Sequence, residues 1–178
     1  GMNIVIIGAG KIGATLTEQL LREGHEITVV DTRTAALDAI GNTLDVMTVE
    51  GNGISMDTQM EAGVPSADLV IAVMSTDEQN LLSCLIAKRL GVGNTIARVR
   101  NPEYTSGLHL IQDDLGLSMA LNPELASATE IARILRVPAA FSVESFARGT
   151  VELIGFQITE QDGMAGKSLI EYNKLHPN

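Results

Sequence analysis

The sequence predicts an α/β chain built as an open, doubly wound parallel sheet. Three observations carry that expectation. Short aliphatic runs such as NIVII, EITVV and ADLVIAV alternate with amphipathic stretches of helical period. Hydrophobic residues make up 45% of the 178, whereas aromatics are 3% and Trp is absent. That composition suits strands buried on both faces, which read as continuous aliphatic segments. Finally, the helical stretches stop at glycines, namely Gly24, Gly41, Gly63 and Gly91, the residue that tolerates the left-handed turn ending a helix.

Element by element, NIVII (Asn3 to Ile7) is the first strand and KIGATLTEQLLREG the first helix. EITVV (Glu26 to Val30) is the second strand, followed by the short helix TAALDAIG. DVMTVEG gives a third strand and MDTQMEAG a short helix. ADLVIAV (Ala67 to Val73) is the fourth and most apolar strand; the long helix DEQNLLSCLIAKRLG starts near Ser75 to Asp77. NTIARVR is a fifth strand, PEYTSGLHLIQDDLG a helix with proline in its first turn, and LSMALN a sixth strand. Strands and helices alternating in this way predict the Rossmann architecture. Past this point the pattern changes. PELASATEIARIL (Pro123 to Leu135) is one more helix, ended before Val137-Pro138. AFSVESFARGTVELIGFQI reads as two strands joined near Arg148-Gly149, a hairpin with no helix between them.

Charge and cysteine content narrow the function. A formal net charge of −10 repels nucleic acid and anionic lipid, so no nucleic-acid partner is expected. The single cysteine, Cys84, excludes an internal disulfide, and His25, His109 and His176 show no metal-ligand spacing. No apolar run approaches the ~20 residues of a membrane span, and the opening residues lack a signal-peptide pattern. A cytoplasmic chain without direct membrane insertion is the expectation.

Gly8, Gly10 and Gly13 form G-x-G-x-x-G between a strand and a helix. The first glycine allows the tight turn, the second lets backbone approach a pyrophosphate, and the third lets helix pack on strand. Free N–H groups at the helix start then favour the anion. Asp31 closes the second strand at the position where a carboxylate accepts the ribose hydroxyls, favouring NAD over NADP. Thr32 and Arg33 follow it, and the Arg33 guanidinium leaves room for an extra phosphate. Lys11 lies inside the loop, either reaching phosphate or simply solvated.

Further strand ends complete the crevice, because ligands of open α/β sheets bind at the carboxyl edge. EGNG places Asn52 and Gly53 towards an adenine, and Ser75 and Thr76 face the second half of a dinucleotide. Arg98 lies in an apolar strand, where an arginine needs an anion: a ligand phosphate or an acidic side chain. A dehydrogenase would need a proton-transfer residue beside the nicotinamide. No His, Lys or Tyr constellation answers that need, since neither Tyr104 nor Tyr172 is followed by Lys at the fourth position. An NAD-dependent oxidoreductase fragment is therefore the alternative reading, and catalytic residues are not expected.

On a helical wheel Leu125, Ala128, Ile131, Ala132, Ile134 and Leu135 cover about half the circumference, wider than the roughly 100° stripe of a one-sided helix. Such a helix packs on a partner subunit, or more thickly on its own domain. The segments IIGAGKIG, VVD, GNG, ADLVIAV, STDEQNLLSCLIAK, ARVRNPEY and LNPELASATEIARIL resemble the N-terminal RCK (KTN, TrkA-N) domain family. Within it they are similar to the cytosolic regulators of Trk potassium uptake, over roughly residues 2 to 136. The tail GMAGKSL resembles the start of the family's C-terminal subdomain.

This resemblance implies a regulator, not an enzyme, that binds NAD(H) or an adenine nucleotide (ATP, ADP or AMP) and gates a membrane potassium transporter. It implies a nucleotide-binding domain over 2–122 and a crossover helix over 123–137 exchanged between two subunits of a homodimer or larger ring. The hairpin and the start of a further subdomain occupy 138–178. Carried over by position, the nucleotide contacts are Gly8, Ala9, Gly10, Lys11, Ile12, Asp31, Met74, Ser75 and Arg98. Glu124 matches an acidic position that joins a cation site between subunits in some relatives, and Lys11 a position that tunes NAD against ATP. Asn52 departs from the acidic residue that many relatives carry after the third strand.

Overall fold

The computed structural model describes residues 1–104, 107–108, 119–121, 151–152 and 157–158. Its strands are β1 (Asn3–Ile7), β2 (Glu26–Asp31), β3 (Met47–Glu50), β4 (Leu69–Ala72), β5 (Asn94–Arg98), β6 (Met119–Leu121), β7 (Val151–Glu152) and β8 (Gln157–Ile158). They form one sheet in the order β3-β2-β1-β4-β5-β6-β7-β8. All neighbours are parallel except β7 and β8. The chain steps outward from β1 to β3, then returns to place β4 on the other side of β1. That reversal makes a topological switch point between β1 and β4, where the carboxyl ends of the strands open a crevice.

The helices are α1 (Lys11–Arg22), α2 (Thr34–Gly41), α3 (Met56–Glu61) and α4 (Asp77–Leu90). Alternate residues of β1 point to opposite faces and join different cores. Ile4 and Ile6 pack with Leu16 and Leu20 of α1 and Leu37 and Ile40 of α2. Val5 and Ile7 pack with Val49, Val64, Val70 and Ala87 of α4 on the other face. Each fully buried leucine or isoleucine contributes about 1.5–3 kcal/mol relative to exposure, which fixes α1 against the sheet. Cys84 is buried in a third cluster with Ala72, Ala97, Val99 and Leu108. Burial pushes its thiol up to about 12, outweighing hydrogen bonds that lower it.

Helix ends follow the local chemistry. Thr76 caps α4 by accepting from the Gln79 amide at 3.2 Å, with Asp77 and Glu78 in the first turn and Lys88 and Arg89 in the last. Gly91, at φ +110°, supplies the left-handed stop.

Several boundaries differ from the sequence expectation. The first helix ends at Arg22, because the Glu23 and Gly24 amides turn back onto the last turn and Gly24 adopts φ +86°. The fifth strand ends at Arg98 instead of running through Arg100. The Arg100 and Asn101 amides donate instead to the Asp77 carboxylate, at 2.9 and 2.8 Å, and so leave the ladder. A 3-10 turn over Val64–Ser66, with Pro65 at its start, precedes β4.

The hairpin turn expected near Arg148-Gly149 lies outside the described residues. Among the described residues, Val151 pairs with Ile158 and Glu152 with Gln157. That register keeps β7 as a parallel neighbour of β6. The helix expected after β5 is helical at 102–104 and 107–108. The expected helix over 123–137, Glu124 within it, and the C-terminal tail lie outside the described residues.

Candidate functional site

At the carboxyl end of β1 the chain turns sharply at Gly8, whose φ of +118° favours glycine and whose added Cβ would lie 2.7 Å from the Val73 carbonyl oxygen. A Cβ at Gly13 would overlap the carbonyl oxygen of Gly8, so the third glycine is what allows α1 to start so close to the strand. Gly10 is the N-cap of α1 and provides no side-chain cap, and the first turn holds no acidic residue. Helix geometry leaves the first amides of α1 without intrahelical acceptors, at the positive end of the helix dipole. The contrast with α4 is informative, since Thr76, Asp77 and Glu78 already occupy the start of that helix.

Asp31 ends β2 opposite Glu50 of β3 and beside the glycine turn. Its Oδ2 accepts the Ala9 amide at 2.7 Å and Arg33 Nη2 at 3.0 Å. Its Oδ1 accepts the Arg33 amide at 2.8 Å and Arg33 Nε at 3.0 Å. Burial pushes the Asp31 carboxyl up, but the hydrogen bonds from the Arg33 side chain, the Ala9 amide and the Arg33 amide outweigh it and hold it at about 2. Because the folded value lies below the unfolded one, this carboxylate stabilises the fold fully above about pH 4. The contribution is lost as pH falls from about 4 to about 2. We therefore expect Asp31→Asn to flatten that part of the pH dependence of the urea midpoint. An unchanged acid limb would contradict the assignment.

The other half of the crevice is held by a buried polar network that the sequence pattern did not reveal. Asn80 is fully buried; its Oδ1 accepts the Met74 amide at 2.6 Å, and its Nδ2 donates to the Met74 and Arg98 carbonyls at 3.2 and 3.0 Å. One side chain on α4 therefore fixes the loops after β4 and β5. Arg100 Nη2 adds a bond to the Ser75 carbonyl at 2.7 Å. Replacing Asn80 by alanine removes the partner of these part-buried backbone groups, at up to about 1–3 kcal/mol for each group left stranded. Asn80→Ala should lower the urea midpoint and weaken nucleotide binding together; unchanged stability would contradict the network's role. On the β3 side of the crevice, buried Gln59 Nε2 donates to the Gly53 carbonyl at 2.8 Å and the Ser83 carbonyl at 3.0 Å, tying the 51–53 loop to α4.

Between these halves runs an open cleft of about 640 Å³, within the range of small-molecule sites. Gly8, Gly10, Asp31, Thr32, Arg33, Asn52, Gly53, Met74, Ser75 and Arg98 all line it. Gln79, which sequence reasoning did not single out, lines it as well. Of the other expected contacts, Ala9 gives its amide to Asp31, Gly13 packs under the turn, Ile12 packs on the core and Thr76 caps α4. Lys11 is exposed at the mouth of the loop, outside the cleft lining. No His, Lys, Tyr or Cys is among the lining residues described. A second cleft, about 510 Å³, lies at the opposite, amino edge of the sheet near His25 and Asp45. Among the described residues no cluster of His, Cys, Asp or Glu is arranged to hold a metal, and no helix is long and apolar enough to cross a membrane.

The TrkA-N domain family model matches residues 4–123. A relative from Archaeoglobus fulgidus, named Trk system potassium uptake protein TrkA homolog, is 36% identical over 170 residues, covering 96% of this chain and 38% of its own length. The chain thus spans about two fifths of the curated relative it matches. Among solved structures, the TrkA-N domain of inner membrane protein ybaL from Escherichia coli superposes with a TM-score of 0.61 at 20% identity, covering 75% of this chain and 93% of that one. The GsuK channel bound to NAD gives a TM-score of 0.57 at 23% identity, covering 67% of this chain and 21% of that one. The same channel has been solved bound to ADP, with a TM-score of 0.57 at 23% identity over 68% of this chain and 31% of that one. At these identities the structural likeness establishes the shared fold.

Proposed function

This chain belongs to the TrkA-N domain family, and from that membership we propose that it is a nucleotide-sensing regulatory domain controlling a membrane potassium transporter. The observation that carries the reading is the pairing of an uncapped α1 N-terminus with the Asp31 carboxylate across one cleft. The amides take a pyrophosphate and the carboxylate takes a ribose diol. NAD(H) uses both halves of the cleft, whereas ATP, ADP or AMP fills the adenosine half. Asn52 and Gly53 face the adenine, and Met74, Ser75 and Arg98 hold the far half, Arg98 as a phosphate partner. Thr76, Lys11 and Ile12 border the site. NAD and ADP on the structurally similar GsuK channel, and the potassium-uptake name of the relative, support this reading.

Chemistry on the nicotinamide is not part of the proposal, which rests on membership of the TrkA-N family. In this reading residues 2–122 bind the nucleotide, the helix over 123–137 pairs two copies, and 138–178 begins a further subdomain. Glu124 joins a cation site at that pairing, and the assembly sits at the inner membrane face through its transporter. A ligand shifts the arrangement of paired lobes only by its differential affinity for the two arrangements.

The test combines calorimetry and X-ray scattering of the chain with NADH, NAD and ATP. Different affinities, with a scattering profile that depends on the ligand, are expected. Identical affinities and profiles for all three would overturn sensing, and sustained NADH oxidation would replace it with an oxidoreductase.

A further inference from the structure

The Asp31 carboxylate is already saturated. A carboxylate offers about four lone-pair positions, and here four donors fill them: the Ala9 amide, the Arg33 amide, and Nε and Nη2 of Arg33. A ribose diol brings two O–H donors, the same number that the guanidinium fork supplies. The fork also stands over the glycine turn, with Nη2 4.0 Å from where a Cβ of Gly10 would be. It lines the cleft and remains exposed over 62% of its side chain, so it can swing away without leaving a buried charge. The two backbone donors, by contrast, are fixed by the strand end and the turn.

We propose that Arg33 is an internal competitor for the ribose subsite, holding Asp31 until a free 2′,3′-diol displaces its fork bond for bond. This rests on the adenine-nucleotide reading above and deepens it: Arg33 sets how strongly the site demands an intact ribose. In the empty domain the guanidinium keeps the carboxylate from being stranded. On binding, the exchange of two N–H donors for two O–H donors makes the diol's net gain smaller than its bonds alone would give. An ion pair whose guanidinium stands this open to solvent is weak, so the competition amounts to a factor of about two to five in affinity.

Absolute affinity for ATP does not isolate this effect, because removing a cation near the phosphates changes long-range attraction. The preference for ATP over 2′,3′-dideoxy-ATP does isolate it, since both ligands carry the same triphosphate. Calorimetry would compare that preference in the native chain, in Arg33→Met, which keeps the stem, and in Arg33→Lys, which keeps the charge but not the fork. The expected result is a preference for the diol about two- to fivefold larger in both variants than in the native chain. A preference unchanged or reduced in both variants overturns the competition while leaving the nucleotide site standing. A rise in Arg33→Met alone also overturns it, because charge and not the fork would then be responsible. If the native chain binds neither nucleotide, the adenine-nucleotide reading fails and this inference fails with it. Thermal melts of each variant establish that the comparison is made between folded proteins.

Discussion

Asp31→Ala is expected to weaken NADH and ATP binding about thirtyfold or more, measured by calorimetry on nucleotide-free protein. Two hydrogen bonds from a ribose diol to a carboxylate are charge-assisted, each worth about 1.5–3 kcal/mol when fully formed. The Arg33 fork offsets part of that gain in the native chain. The loss of the Ala9 amide's acceptor adds to the deficit, because it frees the turn that presents the first amides of α1. Asp31→Asn should fall between the two, as its carbonyl oxygen can still accept from Ala9 but the charge is gone. The variant should melt within a few degrees of the native chain, so lost binding cannot be assigned to unfolding. Binding that survives Asp31→Ala intact would place the ribose elsewhere.

The second large effect is expected at Gly13. An alanine there would set its Cβ on the backbone carbonyl of Gly8, and backbone cannot rotate aside as a side chain can. Overpacking of this kind costs about 1–3 kcal/mol, which for a chain of this size lowers Tm by about 3–10 °C. Relief requires α1 to move off β1, which drags its N-terminal amides away from the cleft. Gly13→Ala should therefore lose stability and nucleotide binding together. Leu16→Ala separates the two effects. It leaves a cavity under α1 at about 2–5 kcal/mol, yet it leaves the Gly8–Gly13 turn in place, so the folded fraction should still bind. Equal loss of binding in both variants would mean that general instability, not the glycine contact, governs the site.

What the sequence revealed and what it hid divide along physical lines. The β1–turn–α1 unit was readable because each glycine answers a local backbone demand, and because strand and helix periods differ. Asp31 was readable because it sits where an aliphatic run stops. The role of Arg33 was half readable: its charge marked it as a candidate phosphate partner, while the fork onto Asp31 is a rotamer choice that spacing does not encode. Asn80, Asp77 and Gln59 were hidden for a different reason. Their partners lie many residues away, at Arg98, Arg100 and Ser83, and a buried polar side chain on a helix looks in sequence like any exposed polar position.

Binding of a nucleotide's phosphates by the open amides at the start of α1 is directly measurable. Backbone amide shifts of the isotope-labelled chain, followed during titration with NADH, test it residue by residue. The largest changes should fall at Gly10, Lys11 and Ile12, with a second group at Asp31 to Arg33. Changes centred instead on the amino-edge cleft around His25 and Asp45, or none at saturating ligand, would contradict it.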